Sequence, residues 1–239
     1  MSVVPPELQE LGVESMDITT LDLSSKELTS LPESIGNLKE LEDLELSGTK
    51  LTSLPESIGN LTQLKVLGLE YAKITSLPES IGNLKELKEL HLYGSQITSL
   101  PESIGNLKEL EELILDYTPI TSLPESIGNL TQLKRLHLDE TSITSLPESF
   151  GNLEELELLD LRYTKITSFE SIGYLTQLKI LNLYGTQITS LPESIGNLTQ
   201  LEELDLSRTP INRSPYIWMI LESCPSLKVL KIIKKFHLT

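Results

Sequence analysis

Hydrophobic residues recur along this chain with two nested periods, one of two residues inside short segments and one of 23 residues between them. In a Leu-x-Leu pair the shorter period puts both leucines on one side of an extended segment and the residue between them on the other. Such pairs fall at Leu44/Leu46, Leu67/Leu69, Leu90/Leu92, Leu113/Leu115, Leu136/Leu138, Leu159/Leu161, Leu181/Leu183 and Leu204/Leu206, with Leu21/Leu23 before them and Leu230/Ile232 after. Ten short strands are predicted. The fullest repeat reads Leu-x-x-Leu-x-Leu-x-x-Thr-x-Ile-Thr-Ser-Leu-Pro-Glu-Ser-Ile-Gly-Asn-Leu-x-x, and a fixed period of this length is the signature of a solenoid.

After each strand the pattern changes. Leu54, Ile58 and Leu61, spaced four and three apart, share one side of a helical or 3₁₀ turn, with Pro55 suited to its first position and Gly59-Asn60 to its end. A single repeat cannot hide its apolar edge from water, whereas stacking at roughly 4.8 Å per strand closes a common core and makes a ten-strand sheet about 45 Å long.

The period runs from about Ile18 to Ile232 in a chain of 239 residues, which leaves room for one domain. We divide it into an N-terminal cap (1–17), leucine-rich repeats (18–211) and a C-terminal cap with a helix and a last strand (212–239). Leu8 and Leu11 are expected to cover the first rung. Ser214-Pro215 predicts a helix through about Ser223 with Ile217, Leu221 and Cys224 on one side. Lys228, Lys231, Lys234 and Lys235 are expected to guard an open sheet edge. One residue is missing at Ser168-Phe169-Glu170, where the repeat shortens to 22 residues, and Phe169 is expected to fill the space.

The phrase Leu-x-x-Leu-x-Leu-x-x-(Asn/Thr)-x-(Leu/Ile), followed by Leu-Pro-x-Ser-Ile-Gly-x-Leu, resembles the leucine-rich repeat of 22 to 24 residues and covers about nine tenths of the chain. The resemblance implies an α/β fold: a right-handed, curved solenoid with a parallel concave sheet, short helical or 3₁₀ turns on the convex side, and ligands held on the concave face. Receptors, regulators, adaptors and bacterial effectors share this motif, so it does not name a ligand. The Gly-Thr-x-Ile turn is similar to repeats of plant immune receptors. A nearly identical, free-standing array is similar to bacterial repeat proteins, including effectors delivered into host cells. The usual asparagine is replaced by Thr49, Thr118, Thr141, Thr164, Thr186 and Thr209, with Lys26, Ala72 and Ser95 as exceptions. Threonine has one donor where the amide has two, so a weaker ladder between neighbouring turns is expected.

A net charge of −16 changes this picture little. Half of it is one template residue repeated at Glu33, Glu56, Glu79, Glu102, Glu125, Glu148, Glu170 and Glu193. Acidity argues for solubility and against nucleic acid or an anionic membrane surface. Prolines and acids in Met-Ser-Val-Val-Pro-Pro-Glu-Leu-Gln-Glu are unlike a secretory signal, and no stretch reaches about 18 apolar residues. The single cysteine, Cys224, excludes an internal disulfide. The expected setting is cytoplasmic, or a host cell reached without a cleaved signal peptide, and the expected state a monomer.

Candidate chemistry lies where the repeat varies. The residues between the leucines and the two positions after each pair carry five of the seven tyrosines, although the same columns also accept Ser24, Ser47, Gly48, Gly94 and Gly185. Tyrosine combines rigid apolar area with a hydroxyl, which suits an interface; stacking along a flat sheet is the competing explanation. The candidate partner-binding residues are Tyr71, His91, Tyr93, Ile114, Asp116, Tyr117, His137, Asp139, Arg162, Tyr163 and Tyr184, with Ile114 expected to be the most exposed apolar anchor. His91 and His137 stand two rungs apart, about 10 Å, too far to share one zinc. Cys224 fits apolar packing better than catalysis. The sequons at Asn60, Asn129 and Asn197 follow from the template. No phosphate loop, metal cluster or nucleophile elbow appears, so no cofactor and no catalytic residue is assigned. The pattern predicts a non-enzymatic module binding a protein or peptide. The alternatives are a receptor or sensor for a small ligand or glycan on the same face, and an adaptor or regulatory subunit for an enzyme such as a ubiquitin ligase or phosphatase.

Overall fold

The computed structural model describes residues 3–213 and 224–232. Ten three-residue strands form one parallel sheet in chain order: Thr20–Asp22 (β1), Asp43–Glu45 (β2), Val66–Gly68 (β3), Glu89–His91 (β4), Glu112–Ile114 (β5), Arg135–His137 (β6), Leu158–Asp160 (β7), Ile180–Asn182 (β8), Glu203–Asp205 (β9) and Val229–Lys231 (β10). Register follows the repeat, with Leu44 opposite Leu67, Leu67 opposite Leu90 and Leu90 opposite Leu113. A slip of one residue would turn every leucine to solvent. Both members of each pair from Leu44/Leu46 to Leu204/Leu206 are buried in one continuous core. This is the leucine-rich repeat solenoid that the two periods imply.

The template Glu-Ser-Ile-Gly-Asn and its two variants fold as 3₁₀ helices from Glu33–Asn37 to Glu193–Asn197, and Pro210–Arg213 adds a shorter one. Leu54, Ile58 and Leu61 all point inward. Pro55 stands one residue earlier than expected, as the cap (φ −69, ψ 153) rather than the first helical residue. The extended ψ is what lets the chain arrive from Ser-Leu, and the Pro55 carbonyl accepts from the Ile58 amide at 3.0 Å.

Two template residues are explained by the neighbouring rung. A Cβ on Gly59 would lie 2.4 Å from the Ser80 carbonyl oxygen, and one on Gly105 2.4 Å from that of Ser126, so only glycine permits these turns to stack. The repeated glutamate reaches across as well: Glu33, Glu56 and Glu102 accept from the amides of Ser57, Ser80 and Ser126 at 3.3 Å. These carboxylates satisfy N–H groups at the start of the next helix that have no partner within it.

The threonine column bonds within its own rung. Thr49, Thr118, Thr141, Thr164, Thr186 and Thr209 each donate the hydroxyl to the carbonyl three residues back, at 2.6–2.8 Å. Where the column holds Ser95, the buried hydroxyl has no partner. At the N-terminus a short helix, Pro6–Glu10 (α1), carries the buried Leu8, and Leu11 packs against the same core. Phe169 is buried at the shortened repeat, where it takes the proline's place before the 3₁₀ helix. Cys224 is buried, with Sγ 3.5 Å from the Ile195 carbonyl oxygen, and burial pushes its thiol pKa up. Lys228 pairs with Glu202 at 2.9 Å and Lys231 lies 3.9 Å from Asp205, so these lysines bind the preceding rung as they flank the last strand. The helix expected over Ser214–Ser223, with Ile217 and Leu221, lies outside the described residues, as do Lys234 and Lys235. No helix among the described residues is long and apolar enough to cross a membrane.

Candidate partner-binding face

Parallel register turns the variable residues into four straight columns on the open side of the sheet. The second runs Glu45, Gly68, His91, Ile114, His137, Asp160 and Asn182. Two residues on, the third runs Ser47, Glu70, Tyr93, Asp116, Asp139, Arg162 and Tyr184. The fourth follows directly, and its backbone is left-handed in every rung from the first to the ninth.

That fourth column contains Ser25 (φ 58), Gly48 (70), Tyr71 (57), Gly94 (64), Tyr117 (57), Glu140 (55), Tyr163 (53), Gly185 (71) and Arg208 (58). Left-handed backbone costs an L-residue about 1–2 kcal/mol and glycine nothing. Three rungs thus place a bulky aromatic where neighbouring rungs use the unstrained residue. The tyrosines are also the exposed ones, at 58% for Tyr71, 51% for Tyr117 and 41% for Tyr163. Glycine in the next rung makes room for them: a Cβ on Gly94 would sit 2.8 Å from the Tyr71 ring, and one on Gly185 2.8 Å from the Tyr163 ring.

The rings form two pads. Tyr71 meets Tyr93 edge-on with centroids 5.1 Å apart, and Tyr93 meets Tyr117 at 5.2 Å. Tyr163 meets Tyr184 at 5.0 Å, and the Arg208 guanidinium lies 5.3 Å from the Tyr184 centroid. Stacking and exposure therefore coexist, with Tyr93 and Tyr184 half-buried beneath their neighbours.

Three expectations for this face are corrected. Asp116 and Asp139 are buried rather than exposed, at 8% and 4%. Asp116 turns its Oδ1 down to accept the Asp139 backbone amide at 2.7 Å, and Asp160, Asn182 and Asp205 likewise accept from the amides of Arg162, Tyr184 and Ser207. Short acids here cap backbone donors that the strand ladder leaves free, which is a structural task. Ile114 is half-buried, and the most exposed apolar surface of the patch belongs to the tyrosines.

Loss of hydration raises the pKa of both Asp116 and Asp139 to about 6, against the pull of the Arg162 guanidinium. Arg162 holds Asp139 at 3.1 Å and Asp160 at 2.8 Å. His91 lies 3.4 Å from Glu70 and 3.3 Å from Glu89, and Glu70 raises its pKa. His137 is lowered by burial. The two histidines are separated by β5, as the spacing implied. Ligand atoms of Glu89, His91 and Glu112 do lie within 4.8 Å of one another. Glu112 is already bound by Arg135 at 2.8 Å, a fixed positive charge that opposes a cation there.

The sequence reading missed two surface features. Tyr174, exposed at 72%, lies on the turn side where Glu170–Tyr174 has Tyr for the template's Asn, and that substitution was its signal. An open cleft of about 660 Å³ lies at the N-terminal cap among Val4, Gly12, Val13 and Asp17, away from the tyrosine pads. No periodic pattern marks it.

Family models for a leucine-rich repeat region match residues 14–96, 56–137 and 81–169, and a model for two copies of the repeat matches residues 176–217. No curated protein matches the chain in sequence. Among solved structures, the leucine-rich repeat domain of the type III effector XopL is 29% identical with a TM-score of 0.78, over 95% of this chain and 79% of that one. A leucine-rich repeat protein of Leptospira interrogans is 30% identical with a TM-score of 0.61, over 89% of this chain and 66% of that one. The plant peptide hormone receptor RGFR1, solved in complex with RGF2, is 29% identical with a TM-score of 0.66, over 90% of this chain. This chain spans 66% of the Leptospira protein and 40% of the plant receptor. With family models tiling most of its length and the repeat geometry seen rung by rung, the chain belongs to the leucine-rich repeat family.

Proposed function

We propose that this protein is a non-enzymatic binding module that holds a protein or peptide on its concave strand face, in the manner of a bacterial effector or adaptor that occupies a surface of a host or cellular protein. The observation that carries this reading is the left-handed column. Tyr71, Tyr117 and Tyr163 accept backbone strain at rungs where glycine would not, and strain of this kind persists where function selects the side chain. Their exposed rings are the rigid amphipathic surface that partners bury. RGFR1, a peptide hormone receptor solved with RGF2, supports a peptide-sized occupant, and the likeness to XopL supports the effector setting.

A small ligand needs an enclosing pocket. The large cleft is at the cap, and the dent in the open face against β8–β10 holds only about 20 Å³. That favours a partner lying along the sheet.

The test is capture from candidate host lysates by wild type and by Tyr71→Asn/Tyr117→Asn/Tyr163→Asn. Asparagine tolerates left-handed backbone, so the fold persists and circular dichroism should not change. Loss of one specific partner, identified by mass spectrometry, is the expected result. Undiminished capture of that partner by the variant would reject the concave assignment.

A further inference from the structure

Fixed charge is distributed unevenly along the face. In the half around β7 to β9 the molecule supplies its own cations: Arg162 bridges Asp139 and Asp160, and Arg208 lies over the Tyr184 ring. In the half around β2 to β4, Glu45 and Glu70 converge on the single hydroxyl of Ser47. One O–H can satisfy only one of them. The Glu45 carboxylate lies in the space a side chain at Gly68 would fill. Among the described residues no lysine or arginine pairs with either carboxylate, and the nearby positive group is His91 beside Glu70. Tyr71 and Tyr93 stand next to this pair, with the Tyr71 ring more than half exposed.

We propose that the partner covering this face is a basic, arginine-bearing peptide segment, and that one of its guanidinium groups docks between the Glu45/Glu70 carboxylates and the Tyr71/Tyr93 rings. This rests on the concave reading above. Arg162 between two carboxylates and Arg208 over a tyrosine are internal copies of the two halves of that contact. Guanidinium suits it better than ammonium, because it binds carboxylates through a planar fork and stacks on aromatic faces. Arg135 opposes Glu112 and closes the acidic half on its far side.

The probe is a fluorescent peptide, Ac-(Ala-Arg-Gly)₄-NH₂, compared with its lysine and serine analogues by anisotropy near physiological salt. The arginine peptide is expected to bind tightest and the serine peptide not at all. Glu45→Gln/Glu70→Gln should weaken arginine-peptide binding about tenfold, while the convex pair Glu79→Gln/Glu102→Gln, with the same change in net charge, should weaken it less than about twofold. Chemical-shift mapping on wild-type protein needs no variant and should perturb Tyr71, Tyr93 and the amides of β2 to β4. Equal losses in both variants, equal binding of arginine and serine peptides, or shifts confined to the convex turns would overturn the proposal. A captured partner that depends on the tyrosines but not on Glu45 and Glu70 would defeat the basic-peptide proposal and leave the concave reading standing. One that depends on neither would defeat both.

Discussion

The turn side and the strand side of this solenoid are built from the same repeats under opposite constraints. On the turn side nearly every rung spells Glu-Ser-Ile-Gly-Asn, and each letter has a contact in the next rung: the isoleucine in the core, the glycine against a serine carbonyl, the glutamate on a serine amide. On the strand side the leucines are constant and everything between them varies. Invariance thus marks where one rung touches the next, and variation marks where a rung touches only solvent or a partner. The tyrosines at left-handed positions sharpen the contrast, because there variation raises the conformational energy.

The difference is tested first where it should be largest. Ile104→Ala, on the turn side, removes a fully buried side chain and should cost about 2–5 kcal/mol in urea unfolding. Gly105→Ala should cost about 1–3 kcal/mol, since the new methyl meets the Ser126 carbonyl and the two turns must separate. If alanine were neutral at this glycine, the stacking account of the template would fail. On the strand side Ser95→Thr should gain about 1 kcal/mol, by giving the orphaned hydroxyl the bond its counterparts make.

Smaller still is the effect of Tyr71→Asn. Relief of left-handed strain offsets loss of the Tyr93 contact, so stability should move by less than about 1 kcal/mol. A large destabilisation would mean that the tyrosines serve packing rather than binding. The last prediction concerns pH. Asp116 has a raised pKa of about 6, so its favourable contribution is complete below the unfolded value of about 4 and is lost as pH rises to about 6. Asp116→Asn keeps the acceptor for the Asp139 amide and removes the buried charge. Its stability relative to wild type should therefore increase between pH 4 and 6 and stay level above, measured as urea midpoints across that range.

Much of the architecture was legible because its cause is local. Alternation around Leu44, Leu67 and Leu90 is enough to assign strand, face and register, and the single missing residue before Glu170 marks where Phe169 must fill space. Asp116 and Asp139 were misplaced because alternation says which way a side chain leaves the strand, not whether it then folds back onto a neighbour's amide. The glutamate column was read as solubility alone, since its partner is 24 residues away and the repeat hides that pairing.

Taken by itself, the order of residues determined the solenoid, its ten rungs and the division between a constant and a variable side, because period two and period 23 are geometric facts about any stacked chain. Tertiary structure alone decided which variable residues remain in water and which charges are answered. Both depend on what the adjacent rung places a few ångströms away: a glycine that lets Tyr71 lean across, a backbone amide that draws Asp116 inward, an arginine that neutralises one half of the face and not the other.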